Sequence, residues 1–146
     1  MHRHGQSHRL RLGRRSEHGR WYHVIARTLD HRPVFDDLLA ARTLISVLAE
    51  EQSRDRARTL AFVVMPDHLH WLLELRTAQL SRVVAAVKSV SAHRLGERIW
   101  QPRFFDRAIR RDEDVKAVGR YVIANPVRAG PVDRIGDYPH WDAVWF

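Results

Sequence analysis

Residues 60–75 read Leu-Ala-Phe-Val-Val-Met-Pro-Asp-His-Leu-His-Trp-Leu-Leu-Glu-Leu. The apolar run Leu60 to Met65 predicts a buried strand. Pro66-Asp67 predicts a tight connection, and His68 to Leu75 a second strand that pairs with the first as a hairpin. Side chains alternate faces along a strand. His68, His70, Leu72 and Glu74 therefore share one face, while Leu69, Trp71, Leu73 and Leu75 point to the other, toward a helix-packed core. Two imidazoles project side by side from one rigid strand.

Working outward, Trp21 to Ala26 (WYHVIA) is strand-like, and Leu29 to Phe35 is a loop containing Pro33. Asp36 is suited to cap a helix running to about Ser53, with Leu38, Ile45 and Leu48 near one face. Arg54 to Arg58 is a charged turn. Beyond the hairpin, Leu80, Val83, Val84, Val87 and Val90 recur at helical spacing, which predicts a helix to about Arg98. Trp100 to Arg110 (WQPRFFDRAIR) is a loop entering a strand. Asp112 is placed to cap a helix from about Glu113 to Ala124, with acidic residues where the helix dipole favours them. Pro126 ends it, and the tail from Arg128 to Phe146 is too apolar to float free. The order strand, helix, strand, strand, helix, strand, helix predicts an α+β fold. It is a ferredoxin-like sandwich with an antiparallel sheet and an added C-terminal helix. Residues 1–19, basic and without periodicity, are expected to form a flexible arm, and residues 20–146 a single domain.

The chain has 146 residues and is 45% hydrophobic, enough for one core. It has no cysteine, which excludes disulfides, thiolate zinc sites and cysteine nucleophiles together. No run of about 18 apolar residues is present, so no membrane helix is expected. The basic N-terminus lacks an apolar segment behind it, which argues against a secretory signal. A cytoplasmic location is expected. Net charge is +8, and Lys88 and Lys116 are the only lysines among 25 basic residues. Arginine presents a planar fork of donors suited to phosphate oxygens, so the expected partner is a polyanion. An arginine excess also follows from a GC-rich genome.

Imidazoles suit several divalent metals, and two are too few for a closed structural site. Water and substrate oxygens would complete the shell. Read alone, His68 and His70 are equally the polar face of a half-buried strand. His23, His31, His93 and His140 lack a partner at ligand spacing, and His2, His4, His8 and His18 lie in the arm. Of the three tyrosines, Tyr22 sits in a strand and Tyr138 in the tail. Tyr121 lies on the last helix, with Asn125 one turn on and therefore on the same helix face. Asn125 offers an amide oxygen as a third metal ligand. Tyr121 flanks the stripe of Val115, Val118 and Val122, where packing is the alternative to chemistry.

Met65-Pro66-Asp67-His68-Leu69-His70-Trp71-Leu72-Leu73 resembles the His-hydrophobic-His strand of single-tyrosine HUH transposases. Tyr121 to Gly130 (YVIANPVRAG) resembles the nucleophile helix of one branch, the REP-associated tyrosine transposases. Tyr22 to Arg27 is similar to that family's opening strand, and Trp100 to Asp114 and Trp141 to Trp145 also fit. The resemblance spans roughly Trp21 to Phe146. It implies an enzyme that cuts single-stranded DNA beside a hairpin. The tyrosine keeps the 5′ phosphate, and a second 3′-OH reverses the step. It assigns Tyr121 as nucleophile and His68 and His70 as ligands of Mg²⁺ or Mn²⁺, with Asn125 at a position that is a ligand in relatives. Asp67, where many relatives have Asn, is a departure and a possible outer-shell partner. No nucleotide cofactor is implied, in keeping with the absence of a GxxxxGK motif. A bacterial, nucleoid-associated monomer or homodimer is expected. Arg76, Lys88, Arg94, Arg98, Arg103, Arg107, Arg110, Arg111 and Arg128 are candidate phosphate contacts. Trp100, Phe104 and Phe105 are candidate platforms for unpaired bases. The competing function is a domesticated, non-catalytic, sequence-specific DNA-binding protein on the same fold.

Overall fold

The structure is a computed structural model that describes residues 19–110, 115–130, 134 and 138–144. Its strands are β1 (Trp21–Arg27), β2 (Ala57–Met65), β3 (His68–Leu75), β4 (Phe105–Ala108) and β5 (Trp141–Ala143). Its helices are α1 (Leu38–Ser53), α2 (Leu80–Leu95), α3 (Val115–Ile123) and α4 (Asn125–Ala129). Every strand pairing is antiparallel, in the order β4-β1-β3-β2-β5. The first four strands follow the ferredoxin-like order, as expected from the sequence.

β2 and β3 form the expected hairpin. Met65 opposes His68, so Pro66 and Asp67 are the whole connection. The turn is held from outside: Thr28 N donates to Asp67 O at 3.0 Å and Phe35 N to Pro66 O at 2.9 Å. β3 is the central strand, with β1 on one side and β2 on the other. Leu69, Trp71, Leu73 and Leu75 are buried with Tyr22, Val24, Phe62 and Val64 against α1 and α2, in one cluster. Trp71 Nε1 also donates to Thr59 Oγ1 at 3.0 Å, so its one polar atom is satisfied.

Several boundaries differ from the sequence expectation. Asp37, not Asp36, caps α1, its carboxylate accepting from Leu39 N and Ala40 N. Asp36 ends a short 3₁₀ turn instead. α2 stops at Leu95 because Gly96 takes the left-handed conformation, φ 76°, that commonly closes a helix. Gly19, assigned to the arm, is tied to the sheet by Gly19 N donating to Leu75 O at 2.6 Å. The rest of the expected arm and the Asp112 cap lie outside the described residues. Pro126 ends α3 but also starts α4, since proline is compatible with a first helical turn. The tail contributes a fifth strand, Trp141–Ala143, on the free edge of β2. Three residues are too short a run to show a period.

Leu73 is fully buried on the central strand. Leu73→Ala should destabilise the protein by about 2–5 kcal/mol, from lost transfer energy and the cavity left behind. Urea unfolding of both proteins checks this.

Candidate metal and nucleophile site

The second face of the sheet carries the chemistry. Strand register places side chains directly opposite one another on the same face. His68 sits between Arg27 of β1 and Met65 of β2, and His70 between Ile25 and Val63. Their rings meet edge to face, with centroids 4.9 Å apart. Part of this face is apolar and covered: Leu60, Ala61, Leu72, Ile109, Ile123 and Ala143 form one small cluster, and Val63, Met65 and Val122 another. α3 thus packs on the histidine face, opposite α1 and α2. A single sheet is sandwiched unequally, and the lesser cover carries the tyrosine.

Both imidazoles have one nitrogen engaged. His68 Nδ1 is 2.7 Å from Asp67 Oδ1. His70 Nδ1 is 3.0 Å from His23 Nε2. Each ring keeps Nε2 for a ligand. Outer partners of this kind fix ring orientation and tautomer in metal sites. Asp67 therefore does sit beside the histidines as the sequence suggested. His23, set aside for want of a partner, has one, because cross-strand neighbours are invisible to spacing along the chain. Burial, aided by the charge of Arg107, pushes the His23 pKa down to about 4. Burial does the same to His70, to about 2, with the neighbouring His23, His68, Arg128 and Arg27 adding to it. Neutral imidazole is the form that binds metal.

Glu74 shares the histidine face but is committed elsewhere, 2.9 Å from Arg58 and 3.8 Å from Arg76. Among the described residues no group of three His, Asp, Glu or Cys is placed to hold a metal. The remaining donors that the sequence singled out are the two imidazoles and the Asn125 amide. Asn125 Oδ1 is buried and has no hydrogen-bond partner among the described residues. A buried acceptor left unpaired costs free energy, so it marks a place where a donor or cation is missing. α4, which begins at Asn125, packs against β2. Arg128, on the same short helix, is near enough for its charge to act on His70. Asn125 does not continue the helix of Tyr121, however. α3 ends at Ile123 and Asn125 opens α4, with Ala124 between them in the right-handed helical region.

The three tyrosines separate cleanly. Tyr22 is buried in the helix-side core. Tyr138 donates its hydroxyl to Val64 O at 2.6 Å, and burial together with Asp36 pushes its pKa up to about 12. Tyr121 is 60% exposed while its neighbour Val122 is fully buried, so Tyr121 is not a packing residue. Arg128 lies over its ring, 3.9 Å from guanidinium carbon to centroid, and donates to the Tyr121 carbonyl at 2.6 Å. Such a contact restrains an exposed ring that otherwise rotates freely.

The basic residues divide by face. Arg94 makes a two-pronged ion pair with Glu50 that links α2 to α1, and Arg76 pairs with Asp55 at 3.1 Å. Lys88 Nζ donates to the carbonyls of Gln101 and Arg103, 2.8 and 2.7 Å away, which pins that loop. Trp100, expected as a stacking platform, is buried instead, its Nε1 donating to Ser91 Oγ at 2.9 Å and its ring beside Phe35. Phe104 is half-buried against the same core. Arg98, Arg103 and Arg110 are exposed, and Arg111 lies outside the described residues. Phe105 and Arg107 are different: register sets them opposite Ile25 and His23, on the histidine face. Arg27, opposite His68 and exposed, joins them and was missed. Its position follows only once β1 is known to pair with β3.

A five-stranded antiparallel sheet with a His-x-His central strand thus carries a tyrosine helix on its histidine face. The chain belongs to the family described as transposase IS200 like, which matches residues 16–125. It is 37% identical over 90 residues to the REP-associated tyrosine transposase of Escherichia coli K12, covering 59% of this chain and 54% of that protein. A Haemophilus influenzae relative is 28% identical over 99 residues, covering 56% of each. The chain thus spans about half the length of the curated relatives it matches. The fold is similar to the structure of a REP-associated tyrosine transposase bound to a REP hairpin. The TM-score is 0.77 at 25% identity, covering 88% of this chain and 79% of that one. No helix of the described residues is long and apolar enough to cross a membrane.

The depressed histidines of this site, His23 and His70, give a pH signature in metal-free protein. The unfolded chain takes up these protons near pH 6.5, whereas folded His23 does so near 4 and His70 lower still. Their contribution is therefore complete above pH 6.5 and is lost as pH falls toward 4. Urea midpoints measured between about pH 7.5 and about pH 4.5 should fall, and less steeply in His23→Gln.

Proposed function

We propose that this protein cuts and rejoins single-stranded DNA beside hairpins, through a 5′-phosphotyrosine formed on Tyr121 with a divalent metal, Mg²⁺ or Mn²⁺, bound nearby. One observation carries the reading. Tyr121 is an exposed phenol on a helix that packs against the same sheet face from which two imidazoles offer Nε2. His68 Nε2, His70 Nε2 and Asn125 Oδ1 would hold the ion. When bound, the ion would withdraw charge from the phosphate oxygens of the scissile bond.

The remaining steps belong to the chain and the DNA. The Tyr121 oxygen attacks the phosphorus as its proton passes to solvent, and the bond from phosphorus to the 3′ oxygen breaks. The leaving oxygen takes up a proton and becomes the 3′-OH. A second 3′-OH then attacks the phosphotyrosine, restoring a phosphodiester and the phenol. Bond energy is conserved in the linkage, so no nucleotide cofactor is required. Arg128 holds the Tyr121 ring and brings positive charge to where the phosphate must lie. Arg27, Arg107 and Phe105 flank the histidines on the same face of the sheet, where a strand backbone and an unpaired base would be met. A hairpin substrate is supported by the structural relative bound to a REP hairpin. The reading also places the protein on the bacterial nucleoid, in the cytoplasm.

Tyr121→Phe should abolish the covalent adduct on hairpin-tailed single-stranded DNA, while Tyr138→Phe still forms it. Packing in the mutant is intact, because Val122 rather than Tyr121 fills the core. Denaturing gels of labelled DNA, with metal present, read the adduct directly. An adduct from Tyr121→Phe would refute the nucleophile assignment. No adduct from the unmodified protein on any such DNA would favour the non-catalytic binder. Affinity for the same DNA should fall steeply with salt, as expected when arginines displace counterions, and a flat salt response would contradict the polyanion reading.

A further inference from the structure

His23 is a buried polar side chain that the chemistry above does not use directly. Its Nε2 lies 3.0 Å from His70 Nδ1, and the two rings meet edge to edge, with centroids 5.3 Å apart and planes 24° from parallel. The contact runs diagonally between strands: His23 opposes Leu72, and His70 opposes Ile25. One proton must sit between the two nitrogens, since two would clash and none would leave no bond. If His23 supplied it, His70 would carry its own proton on Nε2. That nitrogen could not then ligate without losing it. If His70 supplies it, the Nε2 lone pair is open.

We propose that His23 is a positioning residue that accepts the Nδ1–H of His70 and thereby aims the His70 Nε2 lone pair at a divalent cation. The inference rests on the metal reading above. Asp67 does the same for His68 at 2.7 Å. The two supports differ because their surroundings differ. The Asp67 side chain is 37% exposed, so water can stabilise a carboxylate there. His23 is buried, where an ionised carboxylate would be costly and a neutral ring nitrogen is not. A neutral acceptor is the group that the inside of this sheet can hold.

The test is Mn²⁺ binding to the full chain without DNA, followed by the electron paramagnetic resonance of free Mn²⁺. The unmodified protein should bind one ion, and His68→Ala should lose it. His23→Leu should weaken binding by about 10–100-fold, the usual loss for an outer partner of a metal ligand. His23→Gln, whose amide oxygen can reach the place of Nε2, should restore most of it. A role limited to packing would leave Gln no better than Leu, and that result overturns the proposal, as does unchanged binding by His23→Leu. Should His23→Leu not fold, nitrogen NMR of the unmodified protein gives the answer alone. His70 protonated on Nδ1 is expected, and protonation on Nε2 overturns it. Failure of the unmodified protein to bind Mn²⁺ would sink the metal reading and this inference together. Intact binding in both it and His23→Leu would sink only the role of His23.

Discussion

The alternation of side chains along β3 is the constraint on which the rest depends. Leu69, Trp71, Leu73 and Leu75 must be buried, and only α1 and α2 supply enough apolar surface to do it. Once that face is spent on the core, His68 and His70 have nowhere to go but the other side. A slip of one residue would send both imidazoles into the helices and four large apolar side chains toward solvent. The register is therefore held by the hydrophobic effect, and the site inherits its rigidity from a core it does not touch. The two-residue turn at Pro66-Asp67 reinforces this, because Met65 must then face His68.

The second face is covered only in part, and that incompleteness makes it useful. Val122 and Ile123 anchor the tyrosine helix over β2 and β3, burying Val63, Met65 and Leu72. Tyr121 is left at the boundary between this small core and solvent, where its phenol is reachable. Beyond the boundary, Arg27, Arg107 and the half-buried Phe105 line the same face. Charge on this face comes from side chains beside the histidines. Elsewhere, Arg94 is matched by Glu50, and Arg76 by Asp55 and Glu74.

The low pKa values of His23 and His70 follow from the same geometry. Burial on a sheet face disfavours the imidazolium, and guanidinium groups nearby add to the effect. Two imidazoles within hydrogen-bond distance can stay neutral there without an acidic partner. The buried oxygen of Asn125, without a hydrogen-bond partner among the described residues, sits at the start of the short helix that also carries Arg128. Tyr121 is exposed, whereas the side-chain oxygen of Asn125 is buried.

The fold class, the strand that carries the histidines, its inward and outward faces and the tyrosine helix were all legible in the sequence. Each is written in a local period, two for strands and 3.6 for helices, or in a short motif such as His68-Leu69-His70. His23 as the partner of His70, Arg27 beside His68, the burial of Trp100 and the fifth strand were not. Each depends on which segments become neighbours, and residues 23 and 70 are brought together only by β1 pairing with β3. Trp100 looked like a platform because its loop is polar, and only packing against Phe35 and Ser91 shows it belongs to the core. Local chemistry decides which groups are present and which way a strand faces. Long-range pairing, driven by burial of the opposite face, decides which of those groups meet.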